Sequence, residues 1–246
     1  FARNMALVES MDSGLAKLAA PILRSAHWLN KNTKLGSKRN IEAHYDLGND
    51  FFKFFLDPSM MYSAAIFEND SMSLRRAQEN KLKTICEKLQ LTKDDHLLEI
   101  GTGWGAMAIY AAEHYGCKVT TTTISKEQYA LAEERVLEKG LEDKITLLLK
   151  DYRDLEGQFS KVVSIEMVEA VGHEYLEEYF ETCSKLTTED GLFLMQVITI
   201  PDQRYHSARK EIDFIKRYIF PGSCIPSIEK IMSCLGNKTD YRLVGM

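Results

Sequence analysis

From residue 96 to residue 199 the chain alternates short apolar runs with stretches of helical periodicity, and nothing else in the sequence constrains its fold as strongly. Strand-like runs fall at 96–100, 118–124, 145–150, 161–165 and 192–199. Helical spacing covers about 106–114, 126–138 and 173–185. Strands separated by helices are joined in parallel, and the crossovers are right-handed because a right-twisted strand followed by a helix packs back on the sheet that way. The spacing therefore predicts an α/β fold: a Rossmann-like parallel sheet with helices on both faces.

Ahead of this core, residues 4–30 place Leu7, Val8, Met11, Leu15, Leu18, Ile22 and Leu23 near helical spacing, with Pro21 interrupting. They predict an N-terminal helical cap packed on the domain; contact of its apolar face and Trp28 with a membrane is the competing reading. The polar, basic stretch 31–40 (KNTKLGSKRN) predicts a loop or linker, so residues 1–40 are assigned to a helical segment and linker and 41–246 to the main domain. Residues 41–89 read as helical, entered through the aromatic-rich HYDLGNDFFKFF.

A net charge of −5 with no basic stripe argues against nucleic acid as a partner. No apolar run approaches the ~20 residues of a membrane span, and no signal-peptide pattern is visible. The five cysteines form no CxxC pair and the six histidines no HExxH spacing, which predicts reduced thiols, a cytoplasmic location and no metal site. The chain starts at Phe1 and stops at Met246 in a strand-like run, as expected of a piece of a longer protein.

The strongest local signal is LLEIGTGWGAMAIYAA, where an apolar strand runs into Gly101, Gly103 and Gly105 and a helix follows. Glycines there allow a tight turn and close approach of a ligand to the backbone. The spacing is GxGxG, with Ala106 where a dinucleotide loop has its third glycine, and Glu99 precedes the loop. That pattern fits S-adenosylmethionine better than a nicotinamide dinucleotide. The second strand, VTTTTISKEQ, carries no carboxylate until Glu127, so its threonines and Gln128 are the candidate partners for ribose. An NAD-linked dehydrogenase is disfavoured on both counts.

Eight blocks then occur in order: HYDLGNDFF (44–52), MYSAAIF (61–67), AQENKL (77–82), EIGTGWG, TISKEQ, DYRDL, SIEMVEAVGHEY and YIFPGSCIPS. Together they resemble the cyclopropane-fatty-acyl-phospholipid synthase family, which includes the mycolic acid cyclopropane synthases, over residues 41 to the end. The resemblance implies a methyltransferase-like catalytic domain at 41–246, truncated at its C-terminus. It implies transfer of a methylene group from S-adenosylmethionine to the cis double bond of a phospholipid acyl chain at a membrane surface, with transient peripheral attachment; a homodimer is left open. Tyr62 and Ser63 would meet the methionine end of the cofactor, and Glu99, Gly101, Thr102, Gly103, Trp104 and Gly105 would form the main loop. Thr123, Ile124 and Gln128 would hold the ribose, and Tyr152 and Arg153 would flank the adenine.

The resemblance also implies a bicarbonate ion beside the transferable methyl group, contacted by Glu169 and by the backbone of Ile198, with Tyr45 nearby. Two positions depart from the family pattern: Ala64 stands where many members have cysteine, and Gln196 where many have histidine. Glutamine can still hydrogen-bond but carries no proton.

The chemistry implied is attack of a weakly nucleophilic alkene on an electrophilic methyl, which leaves a carbocation on the acyl chain and needs a base. Aromatic faces at Tyr45, Phe51, Phe52, Tyr62 and Phe67 are candidates to stabilise it, although each is also an ordinary core residue. Without the resemblance, Glu169 reads as a carboxylate at a helix N-terminus, with Glu166 a comparable candidate. YIFPGSCIPS reads as a Pro-Gly turn with no assigned chemistry. Two other outcomes stay open: a lipid C-methyltransferase giving a methyl-branched or methylene product, and a non-catalytic cofactor-binding domain.

Overall fold

The computed structural model describes residues 32–45 and 48–246. The expected helices of residues 4–30, with Trp28, lie outside the described residues. Five strands, β1 (His96–Ile100), β2 (Lys118–Thr123), β3 (Ile145–Leu149), β4 (Phe159–Ile165) and β5 (Thr187–Gln196), form one sheet in the order β3-β2-β1-β4-β5. Every pairing is parallel, with Glu99 opposite Thr121 and Ile100 opposite Thr122 in the centre. The topology is the Rossmann-like one that the alternation predicts.

Helices cover both faces, and the period-2 alternation of the central strand shows why. Leu97 joins a core built from α3 (Leu74–Lys88) and α4 (Ala106–Tyr115), among them Leu82, Ile85, Cys86, Met107 and Ala111. Its neighbour Leu98 joins the opposite core, where α6 (Leu176–Leu186) buries Leu176, Tyr179, Phe180, Cys183 and Leu186 at helical spacing. Here α8 (Ile228–Lys238) packs against α6, adding Ile231 and Cys234 to the same core. Serine side chains fix three starts: Ser73 caps α3, Ser125 caps α5 (Lys126–Glu138) and Ser227 caps α8, each accepting from a backbone N–H three residues on. All five cysteines are buried and free. Among the described residues no helix is long and apolar enough to cross a membrane.

Three segments differ from the sequence expectation. The predicted loop at 31–40 is helical from its fourth residue on, because α1 runs Lys34–Tyr45. It is tied down by Asn32, which donates to Ala170 O at 2.8 Å and Gly222 O at 2.9 Å and accepts from Asn40 Nδ2 at 2.8 Å. Residues 41–89 are not one helical stretch. The short α2 (Asn49–Lys53) and α3 are separated by an irregular strap at 54–73. Pro58 disfavours a helical Asp57, Asp57 turns its carboxylate onto Ser59 N and Oγ instead, and Met60 takes φ 59°. Finally, β5 begins at Thr187, not near 192, with an irregularity opposite Phe159 to Lys161, and ends at Gln196.

Candidate active site

A cavity of about 650 Å³ opens along the carboxyl edge of the sheet. Each stretch of its floor lies at or just past the carboxyl end of a strand: residues 99–104 at β1, 122–124 at β2, 150–153 at β3, 165–167 with Glu169 at β4, and Ile198 at β5. In a parallel sheet the backbone amides left unpaired at these ends, and the loops that diverge from them, make the natural ligand crevice. The far wall is the strap, through Phe55, Leu56 and 60–64, with Leu74 and Gln78 of α3. Thus Tyr62, Ser63, Glu99, Gly101, Thr102, Gly103, Trp104, Thr123, Ile124, Gln128, Tyr152, Arg153, Glu169 and Ile198 all line one cavity. Gly105 and Gln196 do not line it, and the side chain of Tyr45, the last residue of α1, lies outside the described residues.

The three loop glycines have positive φ but different neighbourhoods. A Cβ on Gly101 (φ +103°) would stand 3.3 Å from Met167 Cγ, and one on Gly105 (φ +87°) 3.3 Å from Ala132 Cβ; one on Gly103 (φ +52°) would meet nothing within 4 Å. Gly105 is therefore needed for packing of the loop on α5, whereas Gly103 presents bare backbone to the cavity. Trp104 is an anchor: it is buried, its Nε1 donates to Asn49 Oδ1 at 2.7 Å, and its ring lies 4.9 Å from that of Phe52, which fastens α2 to the loop.

Below the loop, Thr121 Oγ1 lies 2.7 Å from both Glu99 Oε2 and Thr102 Oγ1. Burial pushes the Glu99 carboxyl up to about 8 against that hydrogen bond. At the end of β2 the Thr123 hydroxyl donates to Gln128 Oε1 at 2.9 Å, which fixes the orientation of an amide that lines the cavity. Arg153 is more committed than the sequence suggests. Its guanidinium makes a two-bond pair with Asp151 (Nε–Oδ1 2.8 Å, Nη2–Oδ2 2.7 Å) and donates to Asn32 O at 3.0 Å. It holds the start of α1 over the cavity, while Tyr152 supplies the adjoining aromatic surface.

The carboxylates after β4 form the chemically distinctive corner. Glu169 Oε1 accepts from the Ile198 N–H at 2.5 Å, while its Oε2 is buried with no hydrogen-bond partner among the described residues. Burial, with a smaller push from the charge of Glu166, raises the Glu169 carboxyl to about 7 despite that N–H. Glu166 sits at φ 47°, a left-handed conformation that costs a non-glycine residue on the order of 1–2 kcal/mol. Its Oε1 accepts from Ala64 N–H at 2.9 Å and from Gln196 Nε2 at 2.7 Å; Gln196 also donates to Ala64 O at 3.0 Å. The two positions that depart from the family pattern thus meet at this carboxylate.

Sequence reasoning passes over several lining residues: Ile215, Phe220, Ser223 and Ile225, after the short α7 (Asp202–Ala208), and Gln78 on α3. The Pro-Gly turn in YIFPGSCIPS was the available signal; it folds that segment back so that Cys224 N–H reaches Glu169 O at 2.9 Å.

The profile described as mycolic acid cyclopropane synthetase matches residues 32–246. The chain is 38% identical over 240 residues to a tuberculostearic acid methyltransferase of Mycobacterium tuberculosis, covering 90% of this chain and 56% of that protein. It is 43% identical over 193 residues to the cyclopropane-fatty-acyl-phospholipid synthase of Escherichia coli K12, covering 77% of this chain and 47% of that one. The chain thus spans about half the length of these relatives. Among solved structures, a mycolic acid cyclopropane synthase complexed with SAH and CTAB superimposes with a TM-score of 0.77 at 32% identity, over 85% of this chain and 76% of that one. A coclaurine N-methyltransferase bound to SAH, at 24% identity and TM-score 0.64, shares the fold over 80% of this chain and 56% of its own. With its profile match, its relatives and its sheet in agreement, the chain belongs to the mycolic acid cyclopropane synthetase family.

Proposed function

We propose that this chain is the catalytic core of an S-adenosylmethionine-dependent enzyme that adds a methylene group across the cis double bond of an unsaturated phospholipid acyl chain at a membrane surface, forming a cyclopropane. One observation carries the reading: a single cavity joins a glycine-lined nucleotide crevice to a corner where a buried carboxyl, Glu169, is poised near neutrality with one oxygen unpartnered.

The residues present fit the cofactor. Gly103 leaves open space over its Cα, Gln128 and Thr123 give an oriented amide for ribose, and Tyr152 gives a flat surface for adenine. When bound, S-adenosylmethionine supplies an electrophilic methyl group. The protein's own task is then orientation, exclusion of water and proton removal. Apolar side chains at Phe55, Leu74, Ile198, Ile215 and Ile225 line the cavity as an acyl chain requires. Tyr62, whose ring stands 5.3 Å from Phe52 and 6.1 Å from Phe55, offers an aromatic face to a cationic acyl carbon.

Bicarbonate fits less well than the family resemblance implies. The donors it would use are taken by side-chain carboxylates: Ala64 N–H and Gln196 Nε2 by Glu166, and Ile198 N–H by Glu169. Two acidic groups at one corner also disfavour a further anion. We therefore assign the proton directly to Glu169 Oε2 and give Glu166 the positioning role, with no step through bicarbonate.

The test is incubation with methyl-labelled S-adenosylmethionine and vesicles of unsaturated phosphatidylethanolamine. The expected result is labelled acyl chain heavier by one CH2 that no longer takes up hydrogen over a mild catalyst. A labelled product that still takes up hydrogen would assign a methylene olefin instead, and the absence of label in lipid would overturn the reading.

A further inference from the structure

Lys81 is fully buried in α3, a place where lysine is rare unless something holds its charge. Its Nζ donates to Ser63 Oγ at 2.5 Å, and among the described residues no carboxylate lies within ion-pair distance of it. One turn earlier on the same helix, Gln78 Nε2 donates to Ser63 O at 2.9 Å and Met61 O at 3.3 Å. The strap is thus fastened from outside by α3, while Tyr62, Ser63 and Ala64 form its cavity face.

The donor inventory gives this arrangement a direction. An ammonium only donates, so Ser63 Oγ must accept from Lys81, and the single hydroxyl hydrogen is left to point elsewhere. The serine carbonyl is already engaged by Gln78, and the cavity is the open side. A hydroxyl polarised by a buried cation behind it is a strengthened donor, matched to an anionic acceptor. Burial lowers the Lys81 ammonium to about 8, while Glu166 and Asp57 favour the charged form, so it remains mostly protonated at pH 7.

We propose that Lys81 polarises the Ser63 hydroxyl, which the family resemblance already sets at the methionine end of the cofactor, and so determines the preference of that contact for a free carboxylate. The inference rests on the cofactor reading above. Lys81 touches no ligand; it is a positioning residue that determines specificity for a cofactor carrying a free carboxylate.

Calorimetry at pH 7 with two ligands tests this: S-adenosylhomocysteine, which has the carboxylate, and 5′-methylthioadenosine, which lacks the amino-acid end. Lys81→Met is expected to weaken S-adenosylhomocysteine about 10- to 100-fold, the range of a hydrogen bond to a charged group, with 5′-methylthioadenosine changed less than about twofold. Ser63→Ala, which leaves α3 intact, should give the same selective loss, and the double variant should lose no more than the worse single one because the two act as a unit. Equal loss of both ligands, or no loss of S-adenosylhomocysteine in either variant, would overturn the inference while leaving the cofactor reading standing. If the unmodified protein bound neither ligand, the cofactor reading itself would fail and take this inference with it.

Discussion

Gln196, the last residue of β5, donates its side-chain amide to Glu166 Oε1 at 2.7 Å, across the carboxyl ends of two paired strands. The strand register makes the contact: Gln196 lies opposite Ile165, one residue before Glu166. A carboxylate in a left-handed backbone position thereby fills the donors of Ala64 and Gln196, and the oxygen of Glu169 without a partner among the described residues is the acceptor to which we assign the proton. Gln196→Ala should lower kcat about tenfold with KM for S-adenosylmethionine nearly unchanged, because the lost bond orients Glu166 and does not touch cofactor. Steady-state kinetics on unsaturated vesicles checks this, and the rate should be the same in bicarbonate-free buffer.

The proton removal proposed for Glu169 carries a pH dependence. As a base it must be ionised, and with its carboxyl raised to about 7 the rate should climb as pH rises through 7 and level off above it. Glu169→Gln should cost about 10²- to 10⁴-fold in kcat, abolish that limb and leave S-adenosylhomocysteine affinity within a few-fold. A kcat–pH profile of both proteins is the measurement.

Glu99 should show in stability. Its folded carboxyl, at about 8, lies well above the ordinary glutamate value of 4.5. Between those values the unfolded chain has released a proton that the folded chain retains. Glu99 therefore favours folding at low pH and loses that advantage as pH rises, by up to about 1.4 kcal/mol per pH unit. Denaturant titrations from pH 5 to 8 should find Glu99→Gln losing stability with pH less steeply than the unmodified protein.

Two loop glycines should part company. Gly105→Ala places a methyl 3.3 Å from Ala132 at φ +87° and should cost about 2–3 kcal/mol of stability. Gly103→Ala meets no atom of the described residues within 4 Å at φ +52° and should cost about 1 kcal/mol, yet weaken S-adenosylhomocysteine at least tenfold. Thermal melts paired with calorimetry separate the two effects.

Arg153→Ala should behave as a structural lesion, not as the loss of an adenine contact. It strands Asp151 in a pair whose side chains are only 6% and 10% exposed and, among the described residues, leaves the carbonyl of Asn32 with the Ser37 hydroxyl alone. Loss of a buried partner of this kind costs about 3–5 kcal/mol, read as a lowered denaturation midpoint.

The sheet was legible because β1 and α5 announce themselves locally: HLLEI is uninterrupted and apolar-rich, and Ser125 caps a helix with clear periodicity. Both keep the bounds that the pattern predicts. The strap was not legible, since its course depends on a hydroxyl–ammonium pair, Ser63 and Lys81, 18 residues apart, and on rings that meet only after folding. For α1 the failure has another cause. KNTKLGSKRN lacks an apolar stripe, and its anchorage comes from Asn32 bonding to carbonyls 138 and 190 residues away. Most of the site residues drawn from the resemblance line one cavity, though Gly105 and Gln196 do not and the side chain of Tyr45 lies outside the described residues; their division of labour was hidden. No local pattern distinguishes Trp104 and Arg153, which hold the walls, from Glu169, which carries the unpartnered oxygen. Glu166 was visible only as a second acid near Glu169, because its role depends on a partner at Gln196, 30 residues further along the chain.

The most direct test of the central claim is the structure of the protein crystallised with S-adenosylhomocysteine. The account predicts the ligand along Gly101 and Gly103, its ribose beside Gln128 and its sulfur turned toward the corner that holds Glu169. A ligand bound elsewhere, or one in the crevice with its sulfur directed away from Glu169, would contradict it.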